Sequence, residues 1–192
     1  MIPLFPELLR IATIFEQHHV TYAVIGGIAV RALGVPRPTY DLDLMIIHLE
    51  DNQQLLRELE KAEYEVPEIY RNGWLDNIAG LPLLKVKVWK NLEAVDIDIF
   101  VAETDFQKSL LKRKQLVDVE GNKFWCATAE DVIVLKILAD RLRDRVDVQD
   151  ILFMQPLLDV TYLRHWSEVL GVENRLLDAL RQNDEYLPHL NN

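Results

Sequence analysis

The chain has 192 residues, 49% of them apolar and 27% charged, with a net charge of 21 − 31 = −10. That composition excludes a disordered chain, and the acidic balance excludes a globally basic nucleic-acid coat. Its length fits one domain, and a folded chain near this size buries roughly 70% of its unfolded surface, enough for a core without staples. The single Cys126 excludes an internal disulfide and a cysteine-ligated zinc ribbon and fits a reducing compartment. Met1 to Val20 mixes Glu7, Arg10 and Glu16 among its apolar residues, unlike a secretory leader. No window approaches the ~20 apolar residues a membrane helix needs. The chain reads as a soluble cytoplasmic protein with no membrane partner.

Leu8, Leu9, Ala12, Phe15 and Glu16 fall at helical spacing, and Pro6 suits a first turn. Tyr22 to Ile25 is a short apolar run ending at Gly26-Gly27, the pattern of a buried strand closing in a tight turn. Ile28 to Leu33 reads as a short helix stopped by Gly34 and Pro36. Leu42, Leu44, Ile46 and Ile47 mark a second strand, with Asp41 and Asp43 at alternate positions. Asp51 to Ala62 reads as an amphipathic helix with Leu55, Leu56 and Leu59 inside. Leu83 to Trp89 alternates Leu84, Val86 and Val88 against Lys85 and Lys87, a half-exposed strand. In Val95 to Val101, Asp96 and Asp98 share one face and Val95, Ile97 and Ile99 the other. Phe106 to Lys114 reads as a helix, and Leu116 to Val119 with Phe124 to Cys126 as a hairpin around Glu120-Gly121-Asn122.

From Thr128 onward the pattern is helical. Thr128 and Asp131 form a capping-box-like start, and Val132, Leu135, Leu138, Ala139 and Leu142 give an apolar stripe. Further helices are expected around Val146 to Met154, Val160 to Leu170 and Asn174 to Asn183. The order predicts an α/β (α+β) fold: a mixed sheet core over 1–127, flanked by helices, and a C-terminal helical segment over 128–192 packed on it.

The chemistry concentrates on three carboxylates. Asp41 and Asp43, one residue apart, point to the same face, and Asp98 lies on another acidic strand. Clustered carboxylates need positive charge among them. Two divalent ions are the natural answer, and oxygen-only ligation favours magnesium or manganese. Upstream, Gly26-Gly27 stands where backbone N–H groups can approach phosphate, and Arg37 can fork onto phosphate oxygens.

These segments resemble the nucleotidyltransferase superfamily, of the DNA polymerase beta-like fold. The resemblance runs through Val24-Ile25-Gly26-Gly27-Ile28-Ala29-Val30, Arg37-Pro38-Thr39-Tyr40-Asp41-Leu42-Asp43 and Val95-Asp96-Ile97-Asp98-Ile99-Phe100. It continues through Thr128-Ala129-Glu130-Asp131 and Lys136 to Arg141 through Asp150. The order is similar to a small prokaryotic branch that includes abortive-infection-type toxins. The resemblance implies Asp41, Asp43 and Asp98 as metal ligands for Mg2+ or Mn2+, with Asp98 preferred to Asp96 because Ile99-Phe100 follows it. It implies Gly26, Gly27, Arg37, Thr39 and Lys136 as nucleotide-binding residues. The implied reaction moves a nucleoside monophosphate from an NTP to a hydroxyl acceptor (tRNA end, protein or small molecule) with release of pyrophosphate. The rival expectation is a binding module or antitoxin-type subunit on the same fold, with a toxin or antitoxin partner. This chain carries Gly26-Gly27 where many members carry Gly-Ser.

Other groups read as structural. Lys136 reads equally as that nucleotide-binding residue or as a lysine that snorkels from the apolar stripe, while Arg143 and Asp147 are expected to form a surface ion pair and the four tryptophans to pack. The basic run Lys108, Lys112, Arg113 and Lys114 reads as a solvated helix face. The five histidines show no metal-ligand spacing.

Overall fold

The structure, a computed structural model, describes residues 4–47, 52–71, 74–75, 82–90 and 93–183. Two compact units result, one from residues 1–28 with 38–127 and one from 29–37 with 128–192.

The first unit is a seven-stranded mixed sheet flanked by helices. Its strands are β1 (Tyr22–Val24), β2 (Leu42–Ile47), β3 (Trp74–Leu75), β4 (Pro82–Lys90), β5 (Glu93–Ala102), β6 (Gln115–Val119) and β7 (Asn122–Cys126). They lie in the order β3-β4-β5-β2-β1-β7-β6. β1 runs antiparallel to β2 and parallel to β7, while β2 runs parallel to β5. Strand β5 alternates as its sequence demands: Val95, Ile97 and Ile99 are buried and Asp96 and Asp98 are half-buried. Helices α1 (Leu4–Gln17), α3 (Asn52–Lys61) and α4 (Asp105–Arg113) belong to this unit. The spacing of Leu8, Ile11, Ala12 and Phe15 puts all four on the buried side of α1. Thr104 and Gln107 close a capping box at the head of α4. In the β6–β7 hairpin Val119 pairs with Asn122, leaving Glu120 and Gly121, both at positive φ, as a two-residue turn.

Helix α2 (Gly26–Ala32) begins on the glycines themselves rather than after them. The helix expected from Asp51 runs over Asn52–Lys61, and Asp51 lies outside the described residues. A 3-10 turn at Glu68–Tyr70 and the two-residue β3 had no sequence expectation. Trp89 does not pack inward: it is 57% exposed and donates its indole N–H to Glu65.

The second unit gathers α5 (Ala129–Ala139), α6 (Leu142–Met154), α7 (Val160–Val169) and α8 (Glu173–Arg181) around the segment 29–37. The expected stripe through Leu142 is interrupted. Asp140 takes the left-handed conformation at φ 52°, ends α5, and is held there by Arg145 and Arg175. Leu142 therefore opens a new helix and is exposed, while α5 buries Val132, Ile133, Val134 and Ile137. No helix among the described residues is long and apolar enough to cross a membrane.

Candidate functional site

Strands β4, β5 and β2 carry one polar row. Lys85 on β4 is the antiparallel partner of Asp98 on β5, and Asp98 is the parallel partner of Asp43 on β2. Register partners on neighbouring strands present their side chains to the same face. Two residues along, Lys87 is the partner of Asp96. The resulting contacts are Lys85 Nζ to Asp98 Oδ1 at 2.9 Å and Lys87 Nζ to Asp96 Oδ1 at 3.3 Å.

Asp41 sits just ahead of β2 and is exposed; the Thr39 hydroxyl donates to its Oδ1 at 3.1 Å and orients it. Asp43 is flanked by the glycine turn. The amide of Ile25 donates to the Asp43 carbonyl at 2.9 Å, and the next residue, Gly26, has φ +61°. A Cβ on Gly26 would fall 1.9 Å from Asp43 Oδ2, so the carboxylate occupies the space that any side chain there would need.

Burial pushes the Asp98 carboxyl above its usual range; the Lys85 ammonium works against that rise, and Asp41 and Asp96 reinforce it. For Lys85, burial opposes the charge, but contact with Asp98 outweighs it and pushes the ammonium up. The two directions agree physically: the pair satisfies the cation better than the anion.

Asp43 and Asp98 thus lie side by side in the sheet with Asp41 just ahead of β2, but their compensating charge differs from the expectation. Lys85 and Lys87 supply positive charge within the chain. Among the described residues, no group of three or more His, Cys, Asp or Glu side chains is gathered to hold an ion. In kind, the donors fit a hard divalent cation: they are all oxygen, and Oδ1 of Asp98 is buried, with the Lys85 ammonium against it.

Arg37 and Lys136 lie together in the second unit. Asp147 Oδ2 is 2.5 Å from Arg37 Nη1 and 2.9 Å from Lys136 Nζ. Lys136 also donates to Asp144 Oδ1 at 2.8 Å, and Arg141 donates to Asp144 Oδ2 at 2.6 Å. Lys136 does not snorkel; it is buried in ion pairs, and Asp147 turns inward instead of meeting Arg143 at the surface. Burial works against the charge on Asp144, but Arg141 and Lys136 prevail and hold its carboxyl below the usual range. Of the basic run, Lys114 lies over the rings of Tyr22 and Trp125.

Lys85 is the member of this polar row that sequence reading did not single out. Its signal was present as two pairs of alternating charges, Lys85 and Lys87 then Asp96 and Asp98, on successive strands.

Residues 4–174 match the family model described as "Nucleotidyl transferase of unknown function (DUF2204)". The fold is similar to that of an antigenic nucleotidyltransferase-like protein from Paracoccidioides brasiliensis, at 20% identity and TM-score 0.55 over 93% of this chain and 92% of that one. It is also similar to the lincosamide antibiotic adenylyltransferase LnuA in its lincomycin-bound form, at 18% identity and TM-score 0.54 over 76% and 94%. A third likeness is to the antibiotic-resistance factor ANT(2'')-Ia, at 13% identity and TM-score 0.57 over 91% and 95%. A stretch of 92 residues is 29% identical to the protein translocase subunit SecA of Bacteroides fragilis, covering 45% of this chain and 8% of that protein. The chain thus spans a small fraction of that relative's length.

Proposed function

The chain belongs to the family of nucleotidyl transferases of unknown function, and from that premise we propose that it is a metal-dependent nucleotidyltransferase. It moves a nucleoside monophosphate from an NTP to a hydroxyl acceptor of RNA, protein or small-molecule class and releases pyrophosphate. The observation that carries this reading is the pairing of Asp43 with Asp98 on adjacent parallel strands, with the glycine turn against Asp43.

Asp41, Asp43 and Asp98 are the residues that would hold Mg2+ or Mn2+. When bound, the ion supplies charge to the attacking hydroxyl and the departing pyrophosphate. Thr39 orients the Asp41 carboxylate. Backbone amides of Gly26 and Gly27, at the head of α2, approach the phosphates. Asp98, beside Asp43 in the sheet, would accept the acceptor's proton. Arg37 and Lys136 are engaged by Asp147 and Asp144, so we assign them to holding the segment before Thr39 rather than to direct phosphate contact.

A second reading, a binding module or antitoxin-type subunit of the same fold, draws support from Lys85 facing Asp98 where an ion would otherwise balance the charge. Calorimetric titration of each NTP with and without magnesium, on wild type and on the Asp41→Ala/Asp43→Ala double variant, separates the two. Binding that needs both metal and the aspartates, followed by pyrophosphate release with an acceptor, is the expected result. Metal-independent binding, or none, overturns the catalytic reading in favour of the binding module.

A further inference from the structure

We propose that Lys85 is an internal competitor for the cation site: its ammonium holds Asp98 in the cation-free protein and must leave before Asp98 joins Asp43 around a divalent ion. The inference rests on the reading of Asp41, Asp43 and Asp98 as metal ligands.

Three observations carry it. First, Lys85, Asp98 and Asp43 form one continuous row by register, so the ammonium and an ion that the two carboxylates would hold draw on the same charge. Second, the contact is close, at 2.9 Å, and both side chains are only about a fifth exposed, at 22% and 21%, so water does not screen it away. Third, the ion-pair partner of the Lys85 ammonium among the described residues is Asp98 alone. A point charge on a flexible four-carbon stem exchanges readily, unlike a forked guanidinium.

The neighbouring pair provides an internal reference. Lys87 and Asp96 make the same cross-strand contact, but at 3.3 Å and with greater exposure, at 33% and 43%. Asp96 is not the register partner of Asp43. Lys87 therefore leaves the affinity of the site for a cation nearly unchanged. Once displaced, Lys85 remains tethered on the carboxylate face, where the phosphate oxygens of a bound nucleotide are the complementary charge. Cation and nucleotide then assist each other's binding.

The test is a titration with Mn2+ alone, read as free Mn2+ by electron paramagnetic resonance, on folded wild type, Lys85→Met, Lys85→Arg, Lys87→Met and Asp43→Asn. Removing the competing charge in Lys85→Met is expected to tighten Mn2+ binding by roughly ten- to a hundredfold. Lys85→Arg keeps the competition and binds no tighter than wild type, Lys87→Met stays within about threefold of it, and Asp43→Asn loses the site. If Lys85→Met does not fold, Lys85→Gln takes its place. Equal Mn2+ affinity in wild type and Lys85→Met, with loss in Asp43→Asn, overturns the competitor role and leaves the metal site standing. Absence of Mn2+ binding in wild type and in every Lys85 variant overturns the metal reading and this inference with it.

Discussion

The carboxylate of Asp43 lies against the Cα of Gly26, in the space a side chain at that position would fill. Two constraints therefore fall on one residue: the left-handed backbone at φ +61° and the absence of room for a methyl group. Gly26→Ala is expected to destabilise the fold by at least about 1–2 kcal/mol from the backbone conformation alone. It should also push Asp43 out of the row it shares with Asp98. Denaturant unfolding gives the first quantity and Mn2+ titration the second; an unchanged midpoint with unchanged Mn2+ affinity would contradict the close approach.

Asp98 offers a direct check by carboxyl-carbon NMR. Its titration is expected above that of an ordinary aspartate, because burial outweighs Lys85. In Lys85→Met the titration moves higher still, since the ammonium in contact with the carboxylate is gone. The sign for stability follows: a carboxyl with a raised folded-state value contributes stability below its unfolded value, and that contribution is lost as pH rises through the folded value.

The ion pairs around Lys136 predict the opposite pH dependence. Asp144 is held below the usual range, so its contribution is present above its unfolded value, near pH 3.9, and is lost as pH falls through the lower folded value. Thermal melts from pH 6 to pH 2 should show a steeper acid loss in wild type than in Asp144→Asn. Lys136→Met, which leaves Asp144 and Asp147 buried with one cation fewer, is expected to cost about 3 kcal/mol near neutrality.

Cys126 is 1% exposed, and burial pushes its thiol up to about 12. Native protein is expected to resist a thiol-reactive chromophore at pH 8 and to release one equivalent only on unfolding. Stoichiometric reaction without denaturant would place the residue elsewhere than in the β7 core.

Much of the fold is written locally. The alternation of Val95 through Ile99, the apolar run before Gly26 and the Glu120-Gly121 turn each define an element without reference to distant residues. So does the D-x-D spacing, which places Asp41 and Asp43 at alternate positions. What escaped depends on register or on long-range pairing. The meeting of Lys85 with Asp98 requires the alignment of two strands, which no window on one strand contains. The inward turn of Asp147 depends on Lys136 and on Arg37, which lies 110 residues away in sequence. The break at Asp140 went unseen because a left-handed residue there is neither glycine nor asparagine; two arginines from other parts of the helical unit hold it.

The second unit is discontinuous in sequence, built from 29–37 and 128–192. Its early piece leaves the ribosome 128 − 37 = 91 positions before the helices it folds with begin to appear. At bacterial or eukaryotic elongation rates that wait lasts roughly 5–20 seconds. Ala29, Val30 and Val35, buried in the finished protein, stay uncovered by their own unit throughout. These three apolar side chains therefore lack the cover of their own unit during that interval, and in a fragment ending at Ala127 they would lack it permanently.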